Sequence, residues 1–326
     1  METFENAIKN IISYKYNNNT GKIIHLGYAI DDNYVRCTAT SIASFCLNNK
    51  EYNFNVHIIG NKLSNLNKER FNKLAKVYDI NIYIYEMNVN LLKDEVVKEY
   101  LDIPSYIRLT LPLVLKNVDR LYYIDSDVIC LKNAKNFFET DLEGNAIAAV
   151  ADSKIMNKNR NKILNLKNHI YFNAGILIID LVQWNKINTF EKFMQITEKN
   201  PRKFDYWDQD TLNILFDKKV KYLSRIYNYI ELNNLDSSEI VNNEDVVLLH
   251  FAANPKPWHL GWNISSVCNS FNKNIYKFYE ECTPWKDIPL ETPYNAKMVR
   301  SYIKSLLYNG NYLKLIPWVI KYFRLK

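Results

Sequence analysis

The sequence predicts an α/β fold built on a mostly parallel sheet, and three observations carry that expectation. Apolar, β-rich runs alternate with segments of helical periodicity. With 48% hydrophobic and 24% charged residues, the composition is ordinary for a globular protein and excludes wholesale disorder. No run reaches the ~18 apolar residues of a membrane span. The run Ala174–Ile179 is stopped by Asp180 at a length suited to a core strand. At 326 residues, the chain fits two units or one large α/β domain.

The elements follow in order. Residues 22–30 form a first strand, and polar Asp31-Asp32-Asn33 comes after it. Val35, Ala39, Ile42 and Cys46 recur on one face and predict a helix through Leu47. Asn55–Gly60 is a second strand. Residues 64–78 are a helix with Ser64 as N-cap and Leu66, Phe71, Leu74 and Val77 turned inward; Ile80–Tyr85 is a third strand. Such a strand–helix succession predicts right-handed crossovers. Leu121–Ile124, Ile176–Ile179 and Val246–Phe251 read as buried strands. Gln183-Trp184 starts one amphipathic helix and Tyr206–Asp210 leads into another. The leading ~20 residues read as a helix or a disordered arm.

The acidic N-terminus lacks a basic-then-apolar signal pattern. Five scattered cysteines without a C-x-x-C pair argue against a disulfide scaffold or structural zinc, and for a reducing cytoplasm. The net charge of +7 is unevenly placed. After Glu291 there is no acidic residue but seven bases, so the first 291 residues carry 35 bases against 35 acids. A nucleic-acid binder spreads basic surface over its folded body, so nucleic acid is not the expected partner. The tail is also apolar. Val299, Tyr302, Ile303 and Leu306 share a helical face; beyond Gly310, aromatic and aliphatic residues interleave with Lys314, Lys321, Arg324 and Lys326. That mixture suits an anionic membrane surface, and equally a terminal helix pair packed on the body.

Neither G-x-G-x-x-G nor G-x-x-x-x-G-K-[ST] occurs, and the chain has only seven glycines, which disfavours a dehydrogenase or P-loop enzyme. Leu121–Ile124 instead delivers Asp125 and Asp127, two residues apart on extended chain and hence on one face. Carboxylates that close suit Mg²⁺ or Mn²⁺ bridging a diphosphate, or are simply two solvated loop acids. Asn173 opens the buried run Ile176–Ile179, at a strand's mouth or in an edge turn. Asp208 is either a site residue or a helix N-cap. His250 ends a buried strand, and Lys256 lies between Pro255 and Pro257 in a turn that would present its ammonium group.

In order, Asp31-Asp32-Asn33-Tyr34, Tyr106-x-Arg108-Leu109, Asp125-x-Asp127, Phe172-Asn173-Ala174-Gly175, Asp208-Gln209-Asp210 and His250 with Trp258-His259 resemble the family-eight retaining glycosyltransferases. The likeness is greatest to bacterial galactosyltransferases of lipooligosaccharide synthesis, and it covers residues 22–262. It implies a GT-A fold, Rossmann-like with helices on both faces, over residues 21–265. An N-terminal extension (1–20) would precede it and a helical, basic and aromatic extension (266–326) would follow. It further implies a UDP-hexose donor, galactose or glucose, a glycan or glycolipid acceptor in lipopolysaccharide or surface polysaccharide synthesis, and peripheral attachment to the inner face of the cell membrane.

By position, Ala29, Asp31, Asn33 and Tyr34 would meet the nucleoside. Asp125, Asp127 and His250 would bind Mn²⁺, or Mg²⁺, with Ser126 near the nucleotide. Ala253 through Trp258, with Lys256, would cradle the diphosphate, and Arg108, Asn173, Ala174, Asp208 and Gln209 the sugar. The segment after His250, Phe251-Ala252-Ala253-Asn254-Pro255, stands where relatives carry a Cys-Gly pair. Gln209, Asp208 and Asp210 are the catalytic candidates; Gln209 is a poor nucleophile and Asp210 a better one, and acceptor attack on the leaving-group face is the favoured route. Two rivals share these residues. One is a haloacid-dehalogenase-like phosphatase using Asp125 and Asp127, and the other a non-catalytic nucleotide-sugar-binding protein at the membrane.

Overall fold

Residues 7–17, 21–88, 108–199, 204–231 and 235–326 are described by a computed structural model. Its frame is an eight-stranded sheet in the order β1-β4-β3-β2-β5-β8-β7-β9. The strands are β1 (Ile8–Lys15), β2 (Ile23–Asp31), β3 (Asn53–Asn61), β4 (Asn81–Met87), β5 (Arg120–Ile124), β7 (Ile147–Ala151), β8 (Phe172–Asp180) and β9 (Val220–Leu223), while β6 (Val128–Cys130) pairs with β10 (Leu248–His250) in a small second sheet. Strands β4, β3, β2 and β5 run parallel, β1 adds to β4 antiparallel, and β8 runs antiparallel to both β5 and β7.

The helices are α1 (Val35–Asn48), α2 (Asn65–Tyr78), α3 (Lys154–Leu164), α4 (Leu181–Lys186), α5 (Thr189–Lys199), α6 (Trp207–Leu215), α7 (Ile275–Glu281), α8 (Ala296–Tyr308) and α9 (Leu315–Leu325). Side chains alternate across a strand, so β5 sends Tyr122 and Ile124 to one face and Leu121 and Tyr123 to the other. The first face packs against α1 and α2 through Ile42, Phe45, Phe71 and Leu74. The second packs against α4, α5 and α6 through Trp184, Phe193 and Leu212. Helices therefore cover both faces of the sheet.

Several expectations change. Residues 8–15 are neither helix nor arm: β1 protects the β4 edge in a seven-residue register with its polar positions outward. Ser64 caps α2 by accepting from the Asn67 N–H at 3.4 Å. Leu66 and Val77, however, are 58% and 68% exposed, because the buried face runs through Asn67, Phe71, Leu74 and Ala75. Helix α4 starts two residues before Gln183, with Asp180 as its cap. The last of the buried runs forms ladder pairs only over β10.

The chain's end returns to the body. Arg36 on α1 forms a buried, bidentate pair with Glu280 on α7 and also donates to the Pro289 and Ile288 carbonyls at 2.8 and 2.9 Å. Helix α8 buries Val299, Tyr302 and Leu306. Tyr302 lies against Gly261, whose φ of +89° and lack of a Cβ both admit the ring. Trp318 of α9 packs edge-on to Tyr302 with ring centroids 4.8 Å apart. The opposite face of α9 stays open, with Ile316, Ile320 and Phe323 exposed. Among the described residues, no helix is long and apolar enough to cross a membrane.

Candidate active site

The chain leaves β2 toward β3 and β4 on one side and returns to β5 on the other, so a crevice opens where the carboxyl ends of β2 and β5 diverge. Two groups of predicted residues meet there. Asp31 ends β2, with Ala29 two residues earlier on the same side of the strand. The Asp31 carboxylate accepts from the Asn33 N–H at 2.9 Å and from Asn33 Nδ2 at 3.2 Å, holding the turn that exposes Asn33 and Tyr34. Asp32 instead accepts from the Ser64 N–H at 2.9 Å and serves the start of α2. Asn33, Tyr34, Trp258, His259 and Lys297 help line a 170 Å³ cleft that reaches to α8.

Beyond Ile124 the strand has ended, and Asp125-Ser126-Asp127 is a turn closed by the Val128 N–H on the Asp125 carbonyl at 3.2 Å. The turn, rather than strand alternation, brings the two carboxylates together. Because β8 is antiparallel to β5, its first residues lie beside this turn: the Asp125 N–H donates to the Gly175 carbonyl at 2.7 Å. The β6–β10 ladder places His250 opposite Val128. One ligand atom from each of Asp125, Asp127 and His250 thus lies within 4.8 Å of the others.

Asp127 uses both oxygens. Oδ1 is 3.1 Å from His250 Nε2 and Oδ2 is 2.6 Å from Lys256 Nζ. Burial raises the Asp127 pKa, but the Lys256 ammonium and the His250 imidazole outweigh it and hold the carboxyl well below the usual range. Lys256 Nζ also donates to the Phe251 and Ala252 carbonyls at 2.7 and 3.0 Å, so the ammonium is held inward by Asp127 and the chain's own backbone. Ala253 is half-buried beside it. Ser126 Oγ accepts from Thr38 Oγ1 at 2.8 Å, tying the turn to α1.

Arg108 dominates the neighbouring wall. It donates to the Ala174 carbonyl at 3.0 Å, stacks over Tyr123 at 4.9 Å, and contacts Asp208 Oδ2 at 2.8 Å and Asp125 Oδ1 at 3.5 Å. Asp208 is not the N-cap of α6, a position held by Tyr206; it lies in the first turn and faces Arg108. Its contact lacks hydrogen-bond geometry, so Arg108 Nε and Asp208 Oδ2 are both buried without a hydrogen-bond partner. Burial, only partly offset by Arg108, pushes the Asp208 carboxyl up to about 6.

Gln209 bridges the wall: Oε1 accepts from the Ala174 N–H at 2.9 Å and Nε2 donates to Asp152 Oδ2 at 3.3 Å. Asn173 Nδ2 donates to the same Asp152 oxygen at 3.2 Å. Asp210 does not join them. It is fully buried, paired with Arg160, and accepts from Tyr171 OH at 2.7 Å and from the Tyr206 N–H at 3.0 Å. The sequence reading missed Asp152, although an apolar run delivers it from the end of β7 just as β5 delivers Asp125. It also missed Asn228, which lies in a polar stretch that carries no motif.

Two carboxylates and an imidazole within reach of one point form a mixed oxygen and nitrogen donor set that fits a divalent cation. Gly175 keeps the space between them: a Cβ there would sit 2.5 Å from His250 Cε1 and 2.8 Å from Asp125 Oδ2.

A Rossmann-like sheet with an acidic turn and a distant histidine at its switch point is the architecture of a GT-A glycosyltransferase. The chain belongs to glycosyl transferase family 8: the family model matches residues 25–261, and the family 8 C-terminal model matches residues 272–326. It is 30% identical over 310 residues to a lipopolysaccharide 1,2-glucosyltransferase of Escherichia coli, covering 91% of this chain and 90% of that one. It is 25% identical over 334 residues to a lipopolysaccharide 1,3-galactosyltransferase of Salmonella typhimurium, covering 99% and 97%. In fold it matches the galactosyltransferase LgtC solved with donor and acceptor sugar analogs, with a TM-score of 0.67 and 21% identity over 80% of this chain and 96% of LgtC. Family membership sets the phosphatase reading aside.

Proposed function

We propose that this chain is a metal-dependent, retaining hexosyltransferase that moves glucose or galactose from a UDP-sugar to a glycan acceptor in lipopolysaccharide or surface polysaccharide synthesis. The observation that carries the reading is the meeting of Asp125, Asp127 and His250 at the crevice, beside the buried Arg108–Asp208 pair. The names of the relatives, one a glucosyltransferase and one a galactosyltransferase, support a hexose and leave the choice between these two.

Ala29, Asp31, Asn33 and Tyr34 take the nucleoside, with Ser126 alongside. Residues 253–258 meet the diphosphate, and Arg108, Asn173, Ala174, Asp208 and Gln209 orient the sugar. Asp125, Asp127 and His250 would hold Mn²⁺, or Mg²⁺, which would supply Lewis-acid neutralisation of the charge on a departing diphosphate. Lys256 adds a fixed positive charge in the same region, and a preorganised ammonium stabilises the transition state most where the charge is fullest. Arg108 holds the sugar-side wall in register by clamping Ala174 and Asp208.

Among the described residues, neither Gln209 nor Asp210 is well placed as a covalent nucleophile. Gln209 spends its oxygen on the Ala174 N–H, and Asp210 is enclosed by Arg160 and Tyr171. Retention by acceptor attack on the leaving-group face is the route this geometry supports. Catalysis occupies residues 21–265, with β1 completing the sheet edge. Residues 266–326 bring the enzyme to the anionic inner face of the cell membrane from the cytoplasm, where a glycolipid acceptor would lie. Hydrolysis of a UDP-sugar panel with and without Mn²⁺ tests the reading: UDP-glucose or UDP-galactose should be cleaved only with the ion. Cleavage of neither, or equal cleavage in chelator, contradicts it.

A further inference from the structure

Asn228 is 2% exposed and sits where no sequence motif points. Its backbone is pinned beside β10: the next residue, Tyr229, donates its N–H to the Leu248 carbonyl at 3.0 Å and accepts from the His250 N–H at 2.9 Å. The side chain spans two groups already placed in the site. Oδ1 lies 2.9 Å from His250 Nδ1, and Nδ2 donates to Asn173 Oδ1 at 2.9 Å.

The direction of every bond in this chain is fixed from its far end. The Gly175 backbone N–H can only donate, and it lies 3.0 Å from Asn173 Oδ1, so that atom is an acceptor. The Asp152 carboxylate accepts from the other end of the same amide. Asn228 must therefore turn its NH₂ toward Asn173 and its carbonyl oxygen toward His250. An oxygen at 2.9 Å requires a hydrogen on His250 Nδ1. With Nδ1–H engaged by Asn228, Nε2 is the ring nitrogen turned toward Asp127 Oδ1 at 3.1 Å, near where the Asp125 carboxylate also arrives. A cation seated there would take the place of an Nε2 proton and meet a nitrogen already aimed at it. A histidine that ligates through one nitrogen commonly has its other N–H held in this way.

We propose that Asn228 is a positioning residue that fixes the His250 tautomer and ring for metal ligation and ties that ring to Asn173 on the sugar-side wall. The proposal rests on the reading of Asp125, Asp127 and His250 as a dication seat. Two variants of the full-length protein test it. Asn228→Leu removes both bonds. Asn228→Asp keeps an acceptor toward Nδ1 but opposes an oxygen to Asn173 Oδ1. Mn²⁺ affinity is measured without donor by electron paramagnetic resonance of the free ion, and the proton position by ¹H–¹⁵N correlation on ¹⁵N-histidine-labelled, metal-free protein.

His250 of the wild type should carry a proton on Nδ1. Asn228→Leu should weaken Mn²⁺ about 10–100-fold. Asn228→Asp should keep wild-type Mn²⁺ affinity while kcat for UDP-sugar hydrolysis falls, a split that mere loss of packing would not produce. A His250 proton on Nε2 alone, unchanged Mn²⁺ affinity in both variants, or equal loss in both overturns the proposal. Should the wild type take up no Mn²⁺, the dication reading fails while the proton position still decides the role of Asn228.

Discussion

Asp208 and Asp210 stand two residues apart in the first turn of α6 and do opposite work. Residues i and i+2 on a helix do not share a face, so one carboxylate meets Arg108 in the crevice while the other turns inward to Arg160 and Tyr171. In the sequence all three residues of this motif are catalytic candidates, with Asp210 a better nucleophile than Gln209; the partners across the fold are what separate Asp208 from Asp210. Asp210→Asn should cost roughly 3 kcal/mol by taking the charge out of the buried Asp210–Arg160 pair, seen as a lower thermal midpoint, with the remaining folded protein binding UDP normally. A variant that melts like wild type yet transfers no sugar would make Asp210 the nucleophile instead.

At the scale of elements, the strands and helices around β2–β4 were legible because their periodicities differ and one face of each is buried. The faces of α2 were not, since Leu66 and Val77 are apolar residues that tertiary packing leaves outside. Nor was β1, whose outward positions Lys9, Asn10, Ser13 and Lys15 dilute the alternation. The meeting of His250 with Asp127 depends on the β6–β10 ladder, a pairing across 122 residues between His250 and Val128 that no local pattern encodes.

The parallel strands also hold a titrating group. His57 on β3 bonds His25 on β2 at 2.9 Å and Tyr85 on β4 at 3.1 Å. Burial, reinforced by His25, pulls the His57 pKa down to about 3 from the usual 6.5. The unfolded chain then takes up a proton that the folded one refuses. Stability from this group is full above pH 6.5 and is lost as pH falls toward 3, by about 1.4 kcal/mol per pH unit. Denaturant melts between pH 6.5 and 5 should show that slope, and His57→Gln should remove about one proton from it; an unchanged slope would place the titration elsewhere.

Across the whole molecule, charge and exposure separate along the chain. The body is balanced, and the surplus bases sit with the helix whose open face carries Ile316, Ile320 and Phe323. The sequence reading left two outcomes for this tail, and the fold divides them: α8 packs on the body through Val299, Tyr302 and Leu306, while α9 leaves an apolar face for something else. Removing residues 312–326 should release the protein from anionic vesicles and leave Mn²⁺-dependent UDP-sugar hydrolysis intact, as read by co-sedimentation beside an activity assay. Undiminished sedimentation would contradict the role given to α9. The claim on which most else depends is that uridine diphosphate is held through a dication seated by Asp125, Asp127 and His250. Calorimetric titration of UDP into chelator-stripped and Mn²⁺-refilled protein tests it directly. The account predicts strong binding heat only in the refilled sample, and equal heats and affinities in both would contradict it.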